Sequence, residues 1–283
     1  MTVAVTGASG QLGRLVVEAL LREGSAEVVA IVRDPQKVAD LAARGVDVRQ
    51  ADYGDAAALN RALDGVDRVL LISGNEFGAR VAQHTNVIRA AERAGVELLA
   101  YTSIPDAAEN PMILAREHKG TEAVLAESTV PYALLRNGWY WENYLGGLGH
   151  AVRSGVLHGA AAEGRVAGAA RADFAEVAAK VLTTDGHAGR VYELGGSESL
   201  TYAELAQAIA DAAGKPVRYE DLSEDDYAAV LVGAGLPADY AKALADADTG
   251  ISRGLLDVRS GDLEKLLGRP ATSAVEVFRA ALG

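Results

Sequence analysis

Thr6-Gly7-Ala8-Ser9-Gly10-Gln11-Leu12-Gly13 places three glycines at the spacing Gly-x-x-Gly-x-x-Gly. Residues 2–6 before it form a short β-rich run, and residues 11–24 after it carry apolar side chains on one helical face. In a strand–turn–helix of this kind, the first glycine allows the tight turn and the second lets a pyrophosphate approach the backbone. The third lets the helix pack closely on the strand. The helix N-terminus adds unpaired N–H groups and a partial positive charge. The spacing therefore predicts a dinucleotide-binding turn, and a plain strand-to-helix turn is the alternative.

The first half of the chain alternates apolar runs with segments of helical periodicity. Strands are predicted at residues 2–6, 27–33, 46–50, 68–73, 97–103 and 132–136, and helices at 11–24, 35–45, 55–63, 79–94 and 114–128. Strands that are apolar on both faces belong to a parallel sheet covered by helices, joined by right-handed crossovers. The sequence therefore predicts an α/β fold, with a Rossmann-type doubly wound parallel sheet over residues 1–137.

The pattern changes after Asn137. Residues 139–144 (WYWENY) are rich in aromatics, residues 160–170 are rich in alanine and glycine, and residues 190–194 again look like a strand. Three capping-box-like pairs predict helix starts: Thr201 with Glu204, Ser223 with Asp226, and Ser273 with Glu276. We expect residues 138–283 to form a smaller, mostly helical substrate or lid domain, with residues 165–195 returning to the sheet.

Composition excludes several classes of function. The chain has 283 residues, 49% of them hydrophobic, and a formal net charge of −12. Because nucleic acids and anionic membranes bind basic surfaces, we expect no nucleic-acid partner and no anionic-membrane partner. The lack of a long apolar stretch predicts no membrane insertion. The absence of cysteine rules out disulfides, thiolate catalysis and iron–sulfur clusters. With no signal-like N-terminal segment and no stretch near 18 uninterrupted apolar residues, a cytoplasmic location is predicted. The sequence leaves homo-oligomer formation open.

The charge after the second strand predicts the type of nicotinamide cofactor. An NAD-binding protein carries a carboxylate about 20 residues after the turn, where it binds the ribose 2′-hydroxyl. Arg33 occupies that position here, and Lys37 lies one helical turn further on. Two cations suit a 2′-phosphate better than a diol, so NADPH/NADP⁺ is predicted. Asp34 opposes this interpretation, and solvated surface charges are the alternative. Asp52, after the third strand, either meets the adenine amino group or caps a turn.

The residues available for proton transfer are unusual. None of the ten tyrosines is followed four positions later by lysine, so the Tyr-x-x-x-Lys chemistry of typical short-chain dehydrogenases is not predicted. His118 and Glu122 stand at i and i+4, where His118 could give or relay a proton and Glu122 could orient it. A structural pair on a helix surface is the alternative, and Lys119 is a further candidate. The histidines show no metal-ligand spacing, so no metal is predicted.

Ligand contacts are also expected beyond the turn, because the carboxyl ends of the strands face the crevice of a doubly wound sheet. Residues that follow the fourth, fifth and sixth strands are candidates for the nicotinamide end: Ser73, Asn75, Ser103, Asn137 and Gly138. Aromatic side chains could present flat faces to a planar substrate: Phe77, Trp139, Tyr140, Trp141 and Tyr144. The alternative is that these aromatics fill the domain interface.

Six segments together resemble one family. They are TGASGQLG (6–13), VRDPQK (32–37), HKGTE (118–122), LLRNGWYWENYL (134–145), RADFA (171–175) and LGRPATS (267–273). They resemble the NmrA-like branch of the atypical short-chain dehydrogenase/reductase superfamily, and within it the QorB-type, NADPH-dependent quinone oxidoreductases of bacteria. The resemblance implies a Rossmann domain with a small C-terminal domain, NADPH as cofactor and a quinone as hydride acceptor.

The resemblance and the residue patterns together define the predicted site. The predicted cofactor-binding residues are Thr6, Gly7, Ser9, Gly10, Gln11, Leu12, Arg33, Lys37, Ser73, Gly74, Asn75, Ser103, Asn137, Gly138, Trp139, Tyr140, Asn143 and Arg171. The predicted substrate contacts are Phe77, Trp139, Tyr140 and Tyr144, and the catalytic candidates are His118, Glu122 and Tyr140.

Two functions follow from these patterns. A quinone that accepts a hydride leaves a phenolate-like oxygen with a pKa of about 10, which water can protonate, so the missing tyrosine–lysine pair is compatible with an oxidoreductase. The namesake NmrA proteins bind dinucleotide without turning it over, and a non-catalytic NADP(H)-binding redox sensor is therefore the alternative. A sugar-nucleotide epimerase is disfavoured, because that chemistry uses the Tyr-x-x-x-Lys pair.

Overall fold

Helices and strands alternate from the N-terminus, as the apolar periodicity predicts. In the computed structural model, which describes residues 1–283, the strands are β1 (Thr2–Thr6), β2 (Glu27–Val32), β3 (Asp47–Gln50), β4 (Arg68–Leu71), β5 (Leu98–Ser103), β6 (Tyr132–Asn137), β7 (Trp139–Tyr140), β8 (Val156–Gly159), β9 (Arg165–Val166), β10 (Gly168–Ala169), β11 (Val191–Leu194), β12 (Leu200–Thr201) and β13 (Arg218–Asp221). The helices are α1 (Gln11–Glu23), α2 (Ala39–Ala42), α3 (Ala56–Ala62), α4 (Arg80–Ala94), α5 (Ala115–Ala126), α6 (Leu145–Ser154), α7 (Arg171–Thr183), α8 (Tyr202–Ala213), α9 (Glu224–Gly233), α10 (Ala238–Ser252), α11 (Asp262–Leu267) and α12 (Ala274–Leu282). Pro35–Val38 and Trp141–Tyr144 form 3₁₀ turns.

A seven-stranded parallel sheet has the strand order β11-β6-β5-β4-β1-β2-β3. In β1, Val5 pairs with Ala30 of β2 on one side and with Leu70 of β4 on the other. The chain thus builds the sheet outward from β1 in two directions, and the order reverses between β1 and β4. The predicted Rossmann-type fold is confirmed, and the reversal marks the edge at which such sheets bind ligands.

The chain divides into two compact units. The first unit comprises Met1–Ala107, Glu117–Arg136 and Phe174–Tyr192, and the second comprises Ala108–Arg116, Asn137–Asp173 and Glu193–Gly283. The predicted domain boundary after residue 137, with residues 165–195 returning to the sheet, stays a prediction. No periodicity in the sequence indicates the short excursion of Ala108–Arg116 into the second unit. No helix in either unit combines the length and the apolar content that crossing a membrane requires.

Local sequence explains how α1 and α3 begin and end. Leu12, Val16 and Leu20 are buried on one face of α1, and Gly24 ends the helix with a φ of 65°, which glycine adopts without strain. Asp55 caps α3 through one carboxylate oxygen, which accepts the N–H of Ala57 at 3.0 Å and that of the next residue at 2.9 Å. Both helix starts agree with the sequence predictions, and α1 ends one residue before its predicted limit.

The second unit contains more β-structure than predicted. Strand β8 pairs in parallel with β13, β7 with β10, and β9 runs antiparallel to β12. These strands span only two to four residues, which is too short for a periodic pattern to show. The capping boxes that begin α8 and α12 are complete, whereas at α9 the Ser223 side chain accepts the backbone N–H of Asp226.

Candidate functional site

A cleft of about 340 Å³ opens in the first unit, at the carboxyl ends of β1, β2 and β4. This is the edge at which the strand order reverses. Of the predicted cofactor-binding residues, those that line the cleft are Gly7, Ser9, Gly10, Gln11, Leu12, Arg33, Ser73, Gly74 and Asn75. The structure therefore gathers the glycine turn, the cation after β2 and the loop after β4 around one cavity.

The glycine turn leaves backbone open to this cavity. The N–H of Gly10 donates to the carbonyl oxygen of Gly7 over 2.9 Å, and Gly7 has a φ of +60°. Gly10 begins α1 without a side-chain hydrogen bond to the first turn, so no cap competes with an anion there. A Cβ on Gly13 would lie 2.4 Å from the Gly7 carbonyl oxygen. Glycine at this position therefore permits the close helix–strand packing expected of such a turn.

Thr6 and Tyr53 lie beneath the turn. Thr6 is fully buried, and its hydroxyl donates to the carbonyl oxygen of Leu70 over 2.9 Å and accepts the N–H of Ile72 over 3.1 Å. The hydroxyl of Tyr53 donates to the Ile72 carbonyl oxygen over 2.9 Å and lies 2.5 Å from the Thr6 hydroxyl. Burial raises the pKa of Tyr53 above its usual value, so the hydroxyl stays protonated. Tyr53 lines the cleft, whereas Thr6 ties β1 to β4 below it.

The cations predicted for a 2′-phosphate differ in position. Arg33 lines the cleft with 70% of its side chain exposed, and Nη1 lies 3.2 Å from Oε1 of Glu76. Lys37 is exposed on the Pro35–Val38 turn and is not among the lining residues, although its carbonyl oxygen accepts from Arg14 over 2.8 Å. Asp34 begins that turn by accepting the N–H of Gln36 over 3.0 Å. Arg33 is therefore the cation of the cleft.

The loop after β4 is held from below by three side chains. The N–H of Ser73 donates to Oγ1 of Thr102 over 2.9 Å. The N–H of Gly74 donates to Nε2 of His84 over 3.0 Å. Further along, a carboxylate oxygen of Glu117 accepts the N–H groups of Gly78 and Arg80 over 3.1 and 3.2 Å. These contacts fix the backbone on one side of the cleft.

The structure does not make a pair of His118 and Glu122. His118 is 8% exposed, and its Nδ1 lies 2.8 Å from the hydroxyl of Tyr101. Glu122 accepts from Nη2 of Arg136 over 2.7 Å and from the hydroxyl of Ser103 over 2.6 Å. Burial holds the pKa of His118 well below its usual value. None of these residues lines the cleft, and the contacts are not those of a pair on a helix surface. The catalytic roles of His118 and Glu122 stay predictions. Lys119 is exposed on the same helix.

In the second unit, Asn137, Tyr140 and Arg171 come together. The amide nitrogen of Asn137 donates to the Tyr140 hydroxyl over 3.0 Å, and the Arg171 guanidinium stacks on the Tyr140 ring at 4.8 Å from its centre. Burial raises the pKa of Tyr140. Gly138 lies so close to the chain that a Cβ would be 2.7 Å from the carbonyl oxygen of Leu194. The predicted cofactor contacts of this group, and those of Trp139 and Asn143, stay predictions.

The aromatic candidates occupy different environments. Trp141 is fully buried, and Tyr144 packs against Trp141, Tyr202 and Phe278. Those contacts lie within the second unit, and the predicted substrate contact of Tyr144 stays a prediction. Phe77, in the first unit, is 42% exposed, and the guanidinium of Arg80 lies 5.8 Å from its ring centre.

Sequence reasoning missed three polar residues of the cleft: Tyr53, Glu76 and Gln83. Tyr53 and Glu76 follow β3 and β4 by a few residues, so the carboxyl-end rule that selected Ser73 could have found them. Gln83 lies inside α4, where no local signal distinguishes it from other polar helix residues.

The fold and the cleft together define a dinucleotide-binding protein of the Rossmann type, because a glycine turn, a helix N-terminus and a cation line one cavity at the strand-order reversal. The chain belongs to the NmrA-like family, whose model matches residues 1–251. It is 51% identical to Quinone oxidoreductase 2 of Escherichia coli (strain K12) over 97% of this chain and 96% of that protein.

Solved structures agree with this assignment. The crystal structure of the NADPH-dependent quinone oxidoreductase QOR2 from Escherichia coli, complexed with NADPH, matches with a TM-score of 0.95 and 49% identity, over 99% of this chain and 100% of that one. The Citrobacter triphenylmethane reductase complexed with NADP(H) matches with a TM-score of 0.93 and 37% identity, over 99% of each chain. The predicted family is therefore confirmed.

Proposed function

We propose that this protein is an NADPH-dependent oxidoreductase that transfers a hydride to a quinone. The observation that carries the proposal is the 51% identity to a quinone oxidoreductase along 97% of the chain. A relative solved with NADPH has the same fold at a TM-score of 0.95, which supports the choice of cofactor. The cleft in the first unit offers a site of matching chemistry.

Different residues of the cleft suit the pyrophosphate and the 2′-phosphate of NADPH. The open backbone at Gly7 and Gly10 and the N-terminus of α1 would hold the pyrophosphate. Arg33 would bind the 2′-phosphate, since a guanidinium recognises phosphate through two parallel hydrogen bonds. The loop of Ser73 and Gly74, fixed by Thr102 and His84, would orient the ligand along the sheet edge. When bound, NADPH supplies the hydride.

The protein itself has little acid–base work to do in this reaction. A quinone that has accepted a hydride has an oxygen with a phenol-like pKa of about 10, so solvent can deliver the one proton that completes the hydroquinone. His118 is buried with a depressed pKa, and is therefore neutral and without an imidazolium proton to give at neutral pH. The contribution of the chain is to bind and orient the reactants.

The decisive experiment mixes the purified protein with NADPH and 1,4-benzoquinone and follows both the absorbance of the reduced nicotinamide and the formation of hydroquinone. We expect turnover well above a protein-free blank, and slower turnover with NADH. A rate equal to the blank with several benzo- and naphthoquinones would contradict the proposal. If NADPH still quenched the intrinsic fluorescence of that inactive protein, the NADP(H)-sensor function would replace it.

A further inference from the structure

Arg33 and Glu76 join two sides of the cleft. Arg33 follows β2 and Glu76 follows β4, and β1 with its glycine turn lies between these strands in the sheet. Both side chains line the cavity, and their charged groups meet at 3.2 Å. The ion pair therefore spans the cleft at the carboxyl edge of the sheet, where the predicted dinucleotide would enter.

Glu76 has a second polar partner on the same wall. Its Oε2 accepts a hydrogen bond from Nε2 of Gln83 over 2.7 Å, and Gln83 also lines the cavity. The carboxylate is thus held between a cation and an amide donor. If Arg33 turned away to another anion, Glu76 would keep the Gln83 hydrogen bond.

The pair between Arg33 and Glu76 can be exchanged at low cost. The two side chains are 70% and 51% exposed, and exposed ion pairs contribute little because water screens them and two long side chains must be ordered. A phosphate monoester carries up to two negative charges and three acceptor oxygens, so it is the stronger partner for a guanidinium. The carboxylate of Glu76 nevertheless binds the same guanidinium, and its negative charge lies near the position that the phosphate would take.

We propose that Glu76 sets the preference of this protein between NADPH and NADH by competing with the 2′-phosphate for Arg33. This inference rests on the proposed NADPH dependence. Glu76 acts through Arg33 and is a specificity-determining residue. It holds Arg33 at the cleft when no phosphate is present, and it weakens NADPH binding because the phosphate must displace it. NADH lacks the 2′-phosphate and does not enter this competition.

The test measures the Kd of NADPH and of NADH by fluorescence titration for wild type, Glu76→Gln, Arg33→Ala and the double variant. In Glu76→Gln, NADPH should bind about three- to tenfold more tightly, while the Kd of NADH changes less than about twofold. In the Arg33→Ala background, the gain in NADPH affinity from Glu76→Gln should shrink to less than about twofold, because the guanidinium for which the two anions compete is absent.

Glu18→Gln is the matched control, since Glu18 pairs with Arg44 at 2.5 Å outside the cleft and its substitution changes the net charge equally. It should leave both Kd values unchanged. Unchanged or weaker NADPH binding in Glu76→Gln would overturn this inference and leave the proposed function intact. An equal gain in NADPH affinity in the Arg33→Ala background would also overturn it, because Glu76 would then repel the phosphate directly. Wild-type protein that binds no NADPH would overturn the proposed cofactor itself and the inference with it.

Discussion

The N–H of Gly74, in the loop that lines the cleft, donates a hydrogen bond of 3.0 Å to Nε2 of His84, which is fully buried. Because a backbone N–H can only donate, Nε2 must be unprotonated. Nδ1 therefore carries the proton, which it donates to the Thr121 hydroxyl over 2.9 Å. Thr121 in turn donates to the carbonyl oxygen of Glu117. A neutral histidine of one tautomer thus connects the cleft loop to α5.

This arrangement predicts a dependence of stability on pH. Burial lowers the pKa of His84 to about 3, whereas an unfolded histidine titrates near 6.5. Its stabilising contribution is therefore complete above about pH 6.5 and is lost as the pH falls from there toward 3. The loss should approach roughly 1.4 kcal/mol per pH unit. Between pH 4 and 7, the melting temperature of His84→Gln should depend less steeply on pH than that of the wild type.

The control for that experiment is His150→Gln, because His150 is exposed on α6. This variant should keep the wild-type slope. An unaltered slope in His84→Gln would contradict the assignment of a buried neutral histidine to this position.

Arg33 is expected to determine cofactor preference. Arg33→Ala should raise the Kd of NADPH about 10- to 100-fold, since charge-assisted hydrogen bonds to phosphate are among the stronger polar contacts. The Kd of NADH should change by less than about threefold. Fluorescence titration of both cofactors measures the ratio, and Arg44→Ala, whose side chain pairs with Glu18 outside the cleft, is the matched control. Equal wild-type affinity for the two cofactors would refute the prediction.

The sequence predicts the first half of the sheet well because each signal there is local. The glycine spacing, the apolar face of α1 and the Asp55 cap all act within a few residues of one another. The His118–Glu122 spacing shows only that the two share a helix face. Which strand that face meets depends on tertiary packing, which brings Tyr101 to His118 and Arg136 to Glu122.

The same limit applies to the contacts between residues of the cleft. Glu76 contacts Arg33 and Gln83, which come from different elements, and no single segment of the sequence shows those contacts. The ion pair between Arg33, which follows β2, and Glu76, which follows β4, depends on the order of the strands in the sheet, and the sequence alone does not contain that order in any single segment.

The glycine turn should be intolerant of a single methyl group. In Gly13→Ala the new Cβ would lie 2.4 Å from the Gly7 carbonyl oxygen and 2.8 Å from Cα of Ala8, so the turn must shift. Overpacking of this kind costs about 1–3 kcal/mol, and NADPH binding should weaken with it. Gly147→Ala is the matched control, because Gly147 lies in α6 with open space around its Cα. That substitution should stabilise by about 0.5–1 kcal/mol. Equal unfolding free energies for both variants in urea would contradict the role given to Gly13.

The last prediction concerns proton transfer. His118 hydrogen-bonds to Tyr101 away from the cleft, and burial holds its pKa well below the usual value. If solvent protonates the reduced quinone, His118→Ala should lower kcat by less than about tenfold, below the 10²–10⁴ expected of a general acid. Steady-state kinetics with benzoquinone over pH 6–8 measures this, with the melting temperature followed in parallel because the variant leaves a cavity beside Tyr101. A hundredfold fall in kcat at saturating NADPH, in a variant with an unchanged circular dichroism spectrum, would make His118 the proton donor and end the solvent-protonation mechanism.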